Sequence, residues 1–281
     1  MVCTFSDLGG ELISAKSSDG TEFIWQGHER SWKKHAPSLF PICGRLKDSA
    51  YTYGGKEYTM GCHGFLSKSE MTLVESSDEE LVFELRSSEK TKESYPFDFV
   101  LTLTYTLKGT TLSAKCEVEN TSEELLPFMF GGHPGFSTSV DGLSLCDFYV
   151  DFGAEGADLY PIINNAFISK TAEHYSFSEG IYPLTREALV EAKTVVFKNA
   201  PKEITLASAK SAHKVLLSYS ETLPYMCIWS DQADEAEFVC LEPWSGVPND
   251  GVSDECFETR ESMVRLAPGK SESFEYKMTF I

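Results

Sequence analysis

Three residues able to exchange protons stand at the ends of apolar runs, where such side chains need either a partner or a task. His133 lies in Leu126-Pro-Phe-Met-Phe-Gly-Gly-His-Pro-Gly-Phe136, with Gly131, Gly132 and Gly135 removing side-chain bulk around it and Pro134 fixing the backbone after it. An imidazole so placed can give or take a proton near neutral pH. Glu242 follows Phe238-Val-Cys-Leu241, and in an extended strand it shares a face with Phe238 and Cys240, so its carboxylate points at an apolar layer. His63 arrives in Gly61-Cys-His-Gly-Phe65, again beside glycine after an apolar stretch. Each has an ordinary use as well: a core histidine bonded to a carbonyl, or a glutamate at a strand end that reaches water or an arginine. Pro243 argues against a central strand running past Glu242, which places that residue at a rim.

The remaining candidates are binding groups. Arg45, delivered by Pro41-Ile-Cys-Gly44, can donate to a ligand hydroxyl or neutralise an internal acid. Trp244 and Trp229 can offer flat apolar faces to a ring or simply pack. Asp231 either joins them at a ligand or caps the turn after Trp229-Ser230. His28, His35, His174 and His213 lie in polar surroundings and read as exposed. No histidine pair has the one-turn spacing of a helical zinc site, and no serine-hydrolase elbow, phosphate loop or dinucleotide fingerprint occurs.

The elements that must hold these residues read almost entirely as strands. Phe99 to Leu107 and Leu112 to Val118 alternate apolar and polar residues around Lys108-Gly109-Thr110, a long antiparallel hairpin with one wet face. Phe128 to Phe130 is apolar on both faces, as in a doubly buried strand. Gly10 to Ser17 and Thr21 to Trp25 flank a turn and read as a hairpin, as do the segments around Gly54-Gly55. Strands follow at Asp147 to Phe152, Thr194 to Phe197, Glu203 to Ala207, Val215 to Ser220, Met226 to Trp229, Phe238 to Glu242 and Ser273 to Phe280. Gly153 to Lys170 reads as loop, and Thr185 to Glu191 is the best helix, capped by Thr185. With no repeat or linker, residues 1–281 are expected to form one large antiparallel β-sandwich, all-β with few short helices.

Composition narrows the partners. The formal net charge of −19 opposes nucleic-acid backbone and anionic lipid. The 8 cysteines show no metal-type spacing, and with no signal segment they suggest a reduced, cytoplasmic protein. Read in order, Arg45 after Pro-Ile-Cys-Gly, His63 in Gly-Cys-His-Gly-Phe, His133 in Gly-Gly-His-Pro-Gly-Phe and Glu242 in Cys-Leu-Glu-Pro-Trp, the chain resembles the aldose 1-epimerase (galactose mutarotase) family, particularly its shorter bacterial branch. That resemblance implies the family's galactose mutarotase-like supersandwich. It also implies that Glu242 is a general base at the sugar's C1 hydroxyl, with His133 the general acid at the ring oxygen and His63 and Arg45 orienting the sugar. A small aldose is then the partner, with no metal or organic cofactor and with the protein a monomer or homodimer. The acidity, and the lack of a basic cluster beyond Arg45 and Lys47, favour a free aldohexose; a hexose-6-phosphate epimerase or a non-catalytic sugar-binding protein comes second.

Overall fold

In this computed structural model every residue is described except Asn164, Asn165, Lys193 and Asp234, and for residues 190–192 only the backbone is described. The strands Phe99–Lys108 and Thr111–Asn120 pair over their whole length, and their buried residues alternate with half-exposed ones as the sequence periodicity predicts. Ser271–Phe280 takes the free edge of Thr111–Asn120. Among the described residues, nine antiparallel strands build outward from these three, ending at Thr72–Ser76 on one side and Ile181–Pro183 on the other.

A second antiparallel sheet, eight-stranded among the described residues, faces it. Its centre is Thr194–Lys198, Tyr225–Trp229 and Phe238–Trp244, flanked by Gly131–Gly132 and Gly135–Ser137. Aromatic packing joins the layers: Phe274 of the first sheet stacks on Phe130 at 5.3 Å and meets Phe128 edge-on at 5.8 Å. One face of the second sheet, with Val239, Leu241 and Ile228, enters this core. Its other face is left for the site.

Four expectations change on folding. Phe238–Trp244 is a fully buried central strand that runs through Pro243, so Glu242 is not at a rim. Proline is tolerated there because the neighbouring strand is interrupted between Gly132 and Gly135, so the missing N–H falls in the gap between the bonds Leu241 N to Pro134 O at 3.3 Å and Ser245 N to Phe130 O at 2.8 Å. Leu12–Lys16 takes Val2–Phe5 as its strand partner, and the expected hairpin survives only as a short bridged turn, with Ser17 N donating to Thr21 O and Phe23 N to Ala15 O, both at 3.0 Å. Beyond these bonds the Glu22 carboxylate takes the N–H groups of Ala15 and Ile24 at 2.9 and 3.0 Å, so a side chain stands in for further ladder bonds. The supposed loop 153–170 holds the strands Gly156–Leu159, Ile162–Ile163 and Phe167–Ile168. The buried run around Phe128 is split, Leu126–Phe128 pairing with Val264–Leu266 before the chain crosses to the eight-stranded sheet. The helix is Arg186–Ala192, with Thr185 Oγ1 accepting from Ala188 N at 3.1 Å.

Candidate active site

Register brings the two principal residues together. Gly131 pairs with Trp244 and Gly135 with Cys240, so counting inward from either pair sets His133 directly across from Glu242. His133 Nε2 and Glu242 Oε2 lie 3.1 Å apart. Glu242 also sits opposite Cys227, and Cys227 opposite Val196; the shared face of these strands therefore carries Thr194, Val196, Trp229, Glu242 and Trp244. All five line one cavity of about 420 Å³, within the size range of small-ligand sites.

His63 enters from a loop that requires left-handed backbone. Its φ is 61° and that of Gly64 is 72°, and a Cβ on Gly64 would lie 2.2 Å from the Phe40 carbonyl oxygen. The loop is locked to the Arg45 segment by paired bonds: His63 N donates to Gly44 O at 2.8 Å and Gly44 N donates to His63 Nδ1 at 3.1 Å. With Nδ1 accepting, the neutral ring carries its proton on Nε2. The ring meets His133 edge-on at 5.3 Å and Trp244 at 5.8 Å. Trp32 stacks on His133 at 5.0 Å and Trp229 meets it edge-on at 5.7 Å, so aromatic surface surrounds the imidazole.

The electrostatics follow from burial. Glu242 is 1% exposed, and loss of hydration pushes its carboxyl well above the usual range, against the smaller pull of the Trp244 N–H. Burial, with His63 second, holds His133 well below the ordinary histidine range. His63 falls to about 4, through burial first and then Arg45 and Lys68. Burial thus draws both members of the His133–Glu242 pair toward their neutral forms, between which one proton can pass. His133 Nδ1, Glu242 Oε2 and Trp244 Nε1 are buried without a well-aligned hydrogen-bond partner, and all three residues line the same cavity. Orphaned polar atoms gathered on one cavity suit a polyhydroxyl ligand.

Comparison with known proteins agrees with this architecture. Residues 1–279 match the aldose 1-epimerase family. The chain belongs to that family. A galactose mutarotase related enzyme from Lactobacillus acidophilus superposes with a TM-score of 0.93 at 31% identity, over 99% of this chain and 94% of that one. A galactose mutarotase-like protein from Lactobacillus casei superposes with a TM-score of 0.91 at 28% identity, over 99% and 96%. Among curated sequences, the plasmid-borne protein LacX of Lactococcus lactis is 27% identical over 99% of this chain and 95% of its own length. The fold is thus that of the galactose mutarotases, and membership in this epimerase family points to a sugar as substrate and to isomerase chemistry.

Within this aldose 1-epimerase fold the other sequence candidates separate. Arg45 stands exposed at the cavity mouth, and Trp244 and Trp229 line the wall. Asp231 is not among the lining residues: it accepts from Gln232 N at 2.6 Å and Ser31 Oγ at 3.1 Å, which makes it a turn cap. Of the four histidines read as exposed, His174 alone is so, while His28, His35 and His213 are half-buried. The glycines around His133 do not clear space for a ligand. A Cβ on Gly131 would meet Trp244 at 2.5 Å, on Gly132 the Tyr276 ring at 2.6 Å and on Gly135 Trp32 at 2.6 Å, so they admit two tryptophans of the cavity lining and a tyrosine of the core.

Sequence reasoning missed Trp32, Lys34, Lys68, Ile162, Ala166 and Ile168, all on the lining. A tryptophan inside the polar stretch 27–34 was the available signal for the first. His133, Cys240 and Glu242 present ligand atoms within 4.8 Å of one another, a set that could hold a metal.

Proposed function

We propose that the protein interconverts the α and β anomers of an aldohexose, with Glu242 and His133 as its proton-exchanging pair. The observation that carries this reading is the buried pair 3.1 Å apart, set across from one another by strand register. In the reactive tautomer Glu242 is a carboxylate and His133 an imidazolium, reached from the neutral pair by one proton transfer between them. Glu242 takes the proton of the C1 hydroxyl while His133 protonates the ring oxygen; the bond from C1 to the ring oxygen breaks, and the electrons of the C1 oxygen form the aldehyde. Rotation about the C1–C2 bond presents the other carbonyl face. The freed hydroxyl then attacks C1, His133 recovers its proton and Glu242 returns one to the new anomeric oxygen. Protons balance over the cycle.

His63 suits the ring oxygen as a neutral Nε2–H donor, because its depressed pKa keeps it from competing for the proton in play. Trp32, Trp229 and Trp244 offer apolar surface to the C–H face of a pyranose. Two positioned proton-transfer groups contribute about 10²- to 10⁴-fold each, which suits a reaction that water already permits slowly.

The test is anomer exchange, followed by polarimetry of freshly dissolved sugars or by NMR magnetisation transfer, over a panel of aldohexoses with and without a 6-phosphate. Faster exchange with protein is expected for at least one sugar. Rates equal to solvent across the whole panel would sink the proposal, and saturable sugar binding without exchange would replace it with a non-catalytic sugar-binding role.

A further inference from the structure

Four rings form a stacked run that ends on the imidazole of His133. Trp25 stacks on Phe238 at 4.8 Å, Phe238 on Trp32 at 5.3 Å and Trp32 on His133 at 5.0 Å, with interplanar angles of 26°, 22° and 27°. Trp229 closes the group, meeting Trp32, Phe238 and His133 edge-on at 5.6, 5.6 and 5.7 Å. Trp25, Phe238 and Cys240 belong to a small apolar cluster apart from the main core, with Trp32 and Trp229 packed against it. These rings therefore serve the cavity side of the sheet and not the interior of the sandwich.

The segment that carries Trp32 is fixed from several sides. The Trp32 carbonyl accepts from Trp25 Nε1 at 2.8 Å and from His28 N at 3.0 Å. On one side of it Ser31 Oγ donates to Asp231 Oδ2 at 3.1 Å; on the other, the buried Glu11 carboxylate takes the N–H groups of His35 and Ala36 at 2.7 and 3.2 Å. Gly135 leaves room for the edge of the indole, since a Cβ there would lie 2.6 Å from its Cζ3. Apolar burial is non-directional and does not need a ring held parallel to an imidazole. The attraction of a cation for an indole does need it, because the cation must lie over the ring face within about 6 Å of its centre.

The cycle given above needs His133 as an imidazolium beside a carboxylate, and burial opposes that state. The titratable groups that face His133 are Glu242, Cys240 and His63. Glu242 supplies the counter-charge, while His63 works against the cation. Resting on the epimerase reading, we propose that Trp32 is a positioning residue for the acid: its indole face stabilises the imidazolium form of His133 by a cation–π interaction and so brings the charged tautomer of the pair within reach. Tryptophan is the strongest of the aromatic rings in this role, and the interaction is worth most where water is excluded. Trp32 itself transfers no proton.

The experiment places a series of increasingly fluorinated tryptophans at position 32 of the full chain by nonsense suppression, alongside Trp32→Phe and Trp32→Leu, and measures anomer exchange by polarimetry and stability in urea. Fluorine withdraws electron density from the ring face while nearly keeping its shape. Across the series kcat should fall stepwise by about tenfold, with KM and the unfolding midpoint close to wild type. Trp32→Phe should keep more activity than Trp32→Leu. The acidic limb of kcat/KM, where the pair gains a second proton and His133 is an imidazolium, should move to lower pH as fluorination rises, a shift that loss of packing alone would not produce. A kcat that ignores fluorination, with exchange by the wild type intact, would overturn this inference alone and leave Trp32 a packing residue. A rise in KM at constant kcat would also overturn it, by setting the ring against the sugar instead of the imidazolium. Absence of exchange by the wild type with every sugar tried would remove the epimerase reading, and this inference with it.

Discussion

Among the described residues two acid–base pairs are buried, Glu255–Arg260 and His133–Glu242, and the contrast between them separates structural from chemical use. Glu255 and Arg260 are 9% and 4% exposed, and their contacts are nearly closed: Arg260 Nη1 meets Glu255 Oε2 at 2.7 Å, Nη2 donates to Val247 O at 3.0 Å, and Lys47 N donates to Glu255 Oε1 at 3.3 Å, with Arg260 Nε left over. His133 and Glu242 are as deeply buried but carry orphaned atoms and face a cavity. Arginine cannot give up its proton under ordinary conditions, so the first pair is a fixed charge clamp joining the segments around residues 47, 247 and 260. Histidine and glutamate can share one, and burial draws both toward neutrality. Closed hydrogen bonding marks the pair that holds the fold; open valence marks the pair available to a ligand.

The contrast breaks most directly at Glu242. Glu242→Gln keeps the volume and removes the proton exchange, so kcat for anomer exchange should fall by about 10²- to 10⁴-fold while the thermal midpoint stays near wild type or rises. A variant that kept wild-type exchange rates would end the assignment of Glu242 as the proton acceptor. Arg260→Ala should behave in the opposite way. It strands Glu255 in the interior and should cost about 3 kcal/mol or more of stability in urea unfolding, with activity per folded molecule much less affected. An unchanged unfolding midpoint would show that the clamp holds nothing.

Between these lies Gly131→Ala. Its new Cβ at 2.5 Å from Trp244 must displace the indole that faces Glu242, so both readouts should move together: about 1–3 kcal/mol of overpacking and a raised KM. Loss of stability with an unaltered KM would detach Trp244 from the ligand.

The smallest effect concerns pH. With Glu242 raised and His133 and His63 lowered, the single-proton pair spans neutral pH, so kcat/KM should be flat there and fall on both sides as the pair gains a second proton or loses its only one. His63 titrates at about 4 folded and near 6.5 unfolded, so between these values the unfolded chain binds more protons and stability is lost as pH falls through that window. His63→Gln should flatten the slope of unfolding free energy against pH there; an identical slope would place His63 in contact with water.

Much of this was legible in the residues themselves. The alternation of Phe99 to Val118 specified its hairpin because a side-chain period of two leaves only one register with a dry face. His133 and Glu242 were visible as polar residues ending apolar runs, and motif order carried the family resemblance. The strands Gly156–Leu159, Ile162–Ile163 and Phe167–Ile168 were not legible because each is too short to show a period: the first lies near one edge of the eight-stranded sheet, and the other two pair only with each other, with Ile162 and Ile168 on the cavity lining. Pro243 misled for a different reason: proline's missing N–H excludes a central strand only where a neighbour needs it, and the interruption between Gly131–Gly132 and Gly135–Ser137 removes that need.

The sequence alone therefore determined the strand-rich architecture, through local periodicity, and the identity of the two groups able to exchange a proton, through burial of polar residues among apolar ones. Distance was decided by the tertiary structure. Register across a broken ladder set His133 against Glu242, more than a hundred residues apart in the chain. Packing turned the glycines toward tryptophans and a tyrosine instead of a ligand. Folding also gathered Lys34, Arg45 and Lys68 at one rim of an acidic protein, a cluster with no counterpart along the chain, because electrostatic fields sum over positions in space and not over positions in sequence.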